Sequence, residues 1–187
     1  MQEVEHAASR IARLEHAIDA AIETLPAKMR AVIEALQSLR GIAQTSAVSI
    51  VAELGELSRF AHPRQLMGYS GAVSREHSSG EHIRRGAISK AGNAHLRRIV
   101  LEAAWAYRHR PAVGKTLAAR QRCASAAVTA LAWKAQQRLH QRYLRLMARG
   151  KCQQQTVTAV GRELLGFIWA IGVQVEQGQA TPLRQAA

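Results

Sequence analysis

The sequence predicts a mostly α-helical protein: a helical domain with a helix-hairpin-helix-like element and a Gly/Ser/Arg-rich loop region, preceded by an N-terminal helical hairpin or coiled coil. Three observations predict it. Apolar residues recur at three- and four-residue steps along most of the chain, the period of a helix with one buried face. Of 187 residues 48% are hydrophobic but only 4% aromatic, and alanine-rich runs such as Ala103-Ala104 and Ala126-Ala127 favour helices over sheets. Glycine and proline gather between Phe60 and Lys90, leaving the flanks free to be helical. A chain of this length and apolar content buries one sizeable core.

The elements follow in order. Val4, Ile11, Leu14, Ile18, Ala21 and Leu25 form a narrow apolar seam with Glu, Arg and His between them, so the first helix runs to Pro26, which ends or kinks it. A second helix carrying Met29, Val32, Ile33, Leu36 and Leu39 continues to Arg40, and the pair fits either an antiparallel hairpin or a dimerising coiled coil through residues 4–39. Gly41 makes a turn, and Gln44-Thr45-Ser46 is suited to capping a helix that runs to about Leu57. Helix, glycine turn and helix is the layout in which turn amides hold a DNA phosphate, which makes Gly41 and Thr45 candidate contacts. Ala43 replaces the second glycine usual in such turns, so an ordinary helical corner fits equally.

Between Phe60 and Lys90 the pattern predicts a short helix at Arg64–Tyr69, then loops with a small hairpin near Val73 and Ile83. Asn93 caps a helix with Leu96, Ile99, Val100, Ala103 and Tyr107 inward, stopped by Pro111. After a basic linker, Ser125–Arg149 forms a long helix with Val128, Leu131, Ala135, Leu139, Tyr143 and Leu146 on one stripe. Beside it runs a basic stripe of Lys134, Arg138, Arg142, Arg145 and Arg149, suited to tracking phosphates or simply to facing solvent. A last amphipathic helix holds Val157, Val160, Leu164, Ile168, Ile171 and Val175, and Gln177 onward reads as a flexible tail. The expected segments are therefore 1–38, 39–176 and 177–187.

Charge narrows the function. The chain has 26 Lys and Arg against 13 Asp and Glu. From Arg59 to Lys151 there are 19 basic residues and 3 acidic ones, so the whole excess sits in this stretch. Such a field attracts polyanions; with no lipid anchor and no apolar run beyond Leu164–Val173, nucleic acid is the expected partner rather than membrane. Cys123 and Cys152 have no metal-ligand spacing and suggest neither zinc nor a disulfide framework. The expected setting is reducing, cytoplasmic and nucleoid-associated. No metal site is expected in this chain: the single aspartate, Asp19, and dispersed glutamates do not make a two-metal nuclease.

Phosphodiester cleavage can instead proceed through a serine hydroxyl, which needs an accessible serine, an activating group and cations around the non-bridging oxygens. The segment Glu76-His77-Ser78-Ser79-Gly80-Glu81-His82-Ile83-Arg84-Arg85-Gly86 holds all of these types. By composition alone, Ser-Ser-Gly between charges is also an ordinary turn. Arg84, Arg85 and Lys90, with Arg97 and Arg98, are the candidate phosphate contacts. His77 and His82 flank the serines, placed either to move protons or to stand idle in solvent.

Leu39-Arg40-Gly41-Ile42, Ala52 to Phe60, Pro63 to Gly71, Ser78-Ser79-Gly80, Arg85 to Asn93, Leu96-Arg97-Arg98 to Trp105 and, more loosely, Ala159 to Leu165 with Trp169 occur in one order. Over roughly residues 39 to 170 the chain resembles the C-terminal domain of insertion-sequence recombinases that pair a RuvC-like DEDD domain with a serine-containing domain, some of them guided by a bridge RNA. The resemblance implies DNA transposition, with a serine nucleophile that maps onto Ser79, or onto its neighbour Ser78. It implies DNA and, in guided members, a guide RNA as partners, and a homo-oligomer through residues 4–39 is compatible with it. It implies no cofactor in this chain, Mg²⁺ entering only with the DEDD domain, without which the site is incomplete. Two rivals remain: a DNA- or RNA-binding module with Ser79 as a turn residue, and a regulatory transposase fragment that oligomerises through its N-terminal helices.

Overall fold

The computed structural model describes residues 1–76 and 85–180. Among these residues the protein is mostly α, with helices α1 (Gln2–Thr24), α2 (Ala27–Leu36), α3 (Gln44–Leu54), α4 (Pro63–Tyr69), α5 (Ala94–Ala104), α6 (Lys115–Gln121), α7 (Ala126–Ala148) and α8 (Gln153–Ala180). Short 3-10 turns lie at Leu57–Arg59 and Trp105–Arg108, and two strands, β1 (Ser74–Glu76) and β2 (Arg85–Ile88), pair antiparallel with Ser74 opposite Ile88 and Glu76 opposite Arg85.

α8 is the hub. It packs against α2, α4, α5, α7 and the Leu57 turn. Val157, Val160, Leu164, Leu165, Ile168 and Ile171 are all buried, so most of its circumference faces protein. By length, Gln153–Gly178, and by a mean hydropathy of 1.3 over its most apolar 18 residues, this helix is apolar enough to cross a membrane, which the short run Leu164–Val173 did not suggest. Its apolar surface is spent on the core: at roughly 1.5–3 kcal/mol for each fully buried aliphatic side chain, covering it is a dominant stabilising term. Gly161 and Gly172 let neighbours close in, since a Cβ on Gly172 would press on the Leu57 side chain.

Several elements differ from the periodicity reading in instructive ways. α2 stops at Leu36, and the chain then turns through Gly41. Val32, Ile33, Ala35 and Leu36 of α2 lie in the core against α8 and α3. No residue of α1 is buried, and Val4, Ile11 and Leu14 are 73%, 57% and 58% exposed. α3 ends at Leu54 because Gly55 takes a positive φ of 62°. The basic linker holds α6, whose single buried residue is Leu117. α8 continues past Gln177 to Ala180, because Val173, Val175 and Glu176 still pack on the core.

Candidate nucleic-acid interface

The Gly/Ser/Arg-rich segment grows out of a rigid frame at the end of α4 and the start of α5. His62 caps α4 through Nδ1, which accepts the Arg64 N–H at 3.1 Å, and Pro63 supplies the preset first-turn φ. Asn93 caps α5, its Oδ1 accepting the Leu96 N–H at 2.8 Å. The two ends are tied by the Asn93 N–H donating to Tyr69 O at 2.8 Å and by Arg97 Nη1 donating to Ser70 O at 2.8 Å. Gly71 (φ 68°) and Gly92 (φ 126°) sit at this junction, where a Cβ on Gly71 would strike Ala91 O and one on Gly92 would strike Tyr69 O, so glycine is required at both.

From that frame the β1–β2 stem projects. Ser89 N–H donates to Val73 O at 2.8 Å, Lys90 N–H to Gly71 O at 3.1 Å, and Arg75 Nη2 to Ser89 O at 3.1 Å. Arg162 of α8 reaches the stem and donates to Ser74 Oγ at 3.1 Å. Of the hairpin expected near Val73 and Ile83, the described part is this stem of Ser74–Glu76 and Arg85–Ile88; Ile83 lies outside the described residues. Ser78, Ser79 and Arg84, with His77 and His82, lie outside the described residues. Arg85 opens β2 as backbone.

Lys90 stands at the foot of the stem with φ 57°, the non-glycine residue with positive φ among those described, and is exposed. Holding an L-residue there costs roughly 1–2 kcal/mol, and such strain concentrates at binding sites. Arg98 is exposed on α5, whereas Arg97 spends one donor on Ser70 and is half-buried. Gly41 and Thr45 sit elsewhere, at the α2–α3 corner. Gly41 has φ 83° and its missing Cβ faces Ala103 O of α5, so close helix packing accounts for this glycine. Arg120 of α6 donates to Ile42 O, Gln121 Nε2 to Ser38 O at 2.9 Å, and Arg40 Nη1 to Arg110 O at 2.7 Å, which clasps the corner from the other side. Burial pushes the Arg120 guanidinium below its ordinary value. Thr45 is exposed in the first turn of α3.

Sequence reasoning missed a polar cluster that spans α3 and α5. Glu53 Oε2 accepts from Asn93 Nδ2 at 2.5 Å and Oε1 pairs with His95 Nδ1 at 2.7 Å, while Tyr69 Oη donates to Glu53 O at 3.2 Å. The Asn93 hydrogen bond, then that of His95, holds the Glu53 carboxyl below its ordinary value. Only the fold brings these groups together, since Glu53 is 40 residues from Asn93. The basic stripe of α7 is also anchored: Glu163 of α8 pairs with Arg138 at 3.1 Å and Arg142 at 3.3 Å. Among the described residues no group of three or more His, Cys, Asp or Glu side chains is placed to hold a metal ion. Cys123 and Cys152 are free and exposed.

Residues 33–119 match the profile of the Transposase IS116/IS110/IS902 family. The chain is 44% identical over 177 residues, 94% of its own length, to a Sinorhizobium fredii protein named as transposase y4qE, and this covers 45% of that protein. It is 36% identical over 96 residues to a Pseudomonas aeruginosa protein named as a family 20 transposase, covering 27% of it. It is also 35% identical over 92 residues to the transposase for insertion sequence element IS1111A of Coxiella burnetii, covering 25% of it. The chain thus spans less than half the length of these relatives.

Proposed function

Taking as premise that residues 33–119 carry a Transposase IS116/IS110/IS902 family domain, we propose that this chain is the DNA-binding, serine-bearing part of an insertion-sequence transposase. The observation that carries the reading is the stem between α4 and α5: its strands bracket Ser78-Ser79 in sequence, Arg75 donates to Ser89 O within it, and Lys90 stands exposed at its foot. A hydroxyl on such a stem would attack a DNA phosphorus. A serine–phosphate ester forms, the bond from phosphorus to one deoxyribose oxygen breaks, and that oxygen leaves as a DNA hydroxyl carrying the proton. A second DNA hydroxyl then attacks the phosphoserine, re-forming a phosphodiester and returning the proton to the serine. Arg84, Arg85 and Lys90 would balance the charge that builds on the non-bridging oxygens.

The Sinorhizobium relative is more than twice the length of this chain, and the reading assigns strand exchange to the chain acting with a carboxylate nuclease domain, which would bring Mg²⁺. In members that use a guide RNA, the same basic segment is the surface for it. The test supplies DNA, Mg²⁺ and the nuclease domain of a full-length relative, and looks for covalent protein–DNA adducts. Adducts that vanish in Ser79→Ala while DNA binding persists support the reading, and Ser78→Ala separates the two serines. Adducts that persist in the double variant, or salt-sensitive binding with no adduct, overturn it in favour of a binding module. A second reading, a regulatory fragment that oligomerises through residues 4–39, is favoured by the exposed seam of Val4, Ile11 and Leu14.

A further inference from the structure

The α7–α8 junction carries a second basic site, remote in sequence from the serines. Arg138 and Arg142 stand one turn apart on α7 and both turn their Nε toward a single carboxylate, Glu163 of α8, at 3.1 and 3.3 Å. The Arg138 contact is a hydrogen bond. The Arg142 contact is ionic only, leaving that Nε buried without a hydrogen bond. With Nε committed to Glu163, the terminal nitrogens of both guanidinium groups remain to donate elsewhere. Together with Arg145 and Gln141 they line a cavity of about 240 Å³, open to solvent. That is room for a phosphate group and its waters. Three guanidinium groups against one carboxylate leave the cavity cationic, and Arg145 has no ion pair among the described residues.

We infer that this cavity is a phosphate clamp for the DNA backbone, in which Glu163 is a positioning residue that holds two arginines splayed toward the same phosphodiester. The inference deepens the proposed function, on which it rests, by assigning a second backbone contact to the transposase domain. A lone stripe of surface arginines would need no carboxylate from another helix. Here Glu163 is half-buried and shared, which fixes the forks before ligand arrives and lowers the ordering cost of binding. The stripe continues along α7 to Lys134 and Arg149, both exposed, so a strand seated in the cavity has further cations on either side.

The test is titration of a labelled DNA duplex with the full chain over a series of salt concentrations, with thermal melts to confirm folding. Arg138→Gln with Arg142→Gln should weaken binding at least about tenfold near ~0.1 M salt and reduce the salt slope by about two. Arg145→Gln, on an exposed residue whose loss leaves the fold intact, should reduce it by about one. Arg10→Gln with Arg13→Gln on α1 removes the same charge elsewhere and should leave the slope unchanged; equal losses from the two pairs would overturn the site. Glu163→Gln makes the chain more cationic, so charge alone predicts tighter binding, whereas the clamp predicts weaker binding; unchanged or tighter binding overturns it. A parallel titration with an RNA hairpin tests the assignment to DNA, which an RNA-only loss overturns. If the α7 variants bind normally while Ser79-dependent adducts still form, the clamp falls and the transposase reading stands. If the wild-type chain binds no DNA at all, both fall.

Discussion

Glu176 on α8 accepts the backbone N–H of Leu57 through Oε1 at 2.7 Å, and its Oε2 accepts that of Ser58 at 2.7 Å, across 119 and 118 residues of sequence. The carboxylate is buried and caps the 3-10 turn whose Leu57 packs on Gly172. Glu176→Ala strands two amides, and at roughly 1–3 kcal/mol for each unsatisfied buried donor the expected loss is about 3 kcal/mol. Glu176→Gln, which exchanges one acceptor oxygen for an NH₂ donor, should fall between the two. Urea midpoints at constant m-value measure both.

Deleting residues 1–24 should shift Tm by less than about 3 °C, because α1 buries none of its residues. Deleting residues 1–38 should abolish cooperative unfolding, since Val32, Ile33, Ala35 and Leu36 leave the core. Four such losses rival a typical total stability of about 5–15 kcal/mol. Calorimetry on the two truncations decides whether the independent unit begins before or after α2.

Glu53 makes the fold acid-sensitive. Its folded carboxyl titrates below the ordinary 4.5 because Asn93 and His95 hydrogen-bond it. The stability this confers is fully present above the unfolded value and is lost as pH falls through the folded one. Tm should therefore drop on acidification from about pH 5, and Glu53→Gln should flatten that part of the profile. An unchanged profile in the variant counts against the α3–α5 tie.

Gly41→Ala should cost about 2 kcal/mol or more, combining a positive φ with a Cβ driven against Ala103 O. Chemical denaturation measures this. A variant of full stability but weakened DNA binding would instead support the phosphate role expected of this turn.

Tyr107 is buried, its hydroxyl has no hydrogen-bond partner among the described residues, and burial pushes its phenol well above the usual range. Tyr107→Phe removes the desolvated group and keeps the ring, so stability should be unchanged or higher by up to about 1 kcal/mol. A marked loss in a urea titration would show that the hydroxyl has a partner in solution.

Much of the scaffold was legible residue by residue. Pro26 ends α1, Asn93 and Ser125 cap α5 and α7, and the spacing of Val157 to Val175 marks α8. These signals act within one turn of helix, so they survive without tertiary information. α6 was hidden because Lys115–Gln121 is short, basic and buries only Leu117, too little to make a period. Of the candidate site, Gly71 and the strained Lys90 fall within the loop region Phe60–Lys90, while Gly92, Glu53 and His95 gave no sign, the last two lying 42 residues apart on faces that the fold turns toward each other.

By itself the sequence determined the helical class, the positions of most helices and the basic segment from Arg59 to Lys151, because propensity, capping and charge are local properties. Tertiary structure alone decided that α2 belongs to the core while α1 stays bare, that Glu176 caps a turn 119 residues away, and that Glu163 gathers Arg138 and Arg142 around one cavity. The physical reason is that a helix's periodicity states which face must be covered, but not which surface covers it; that choice is made by the joint packing of all the helices around α8.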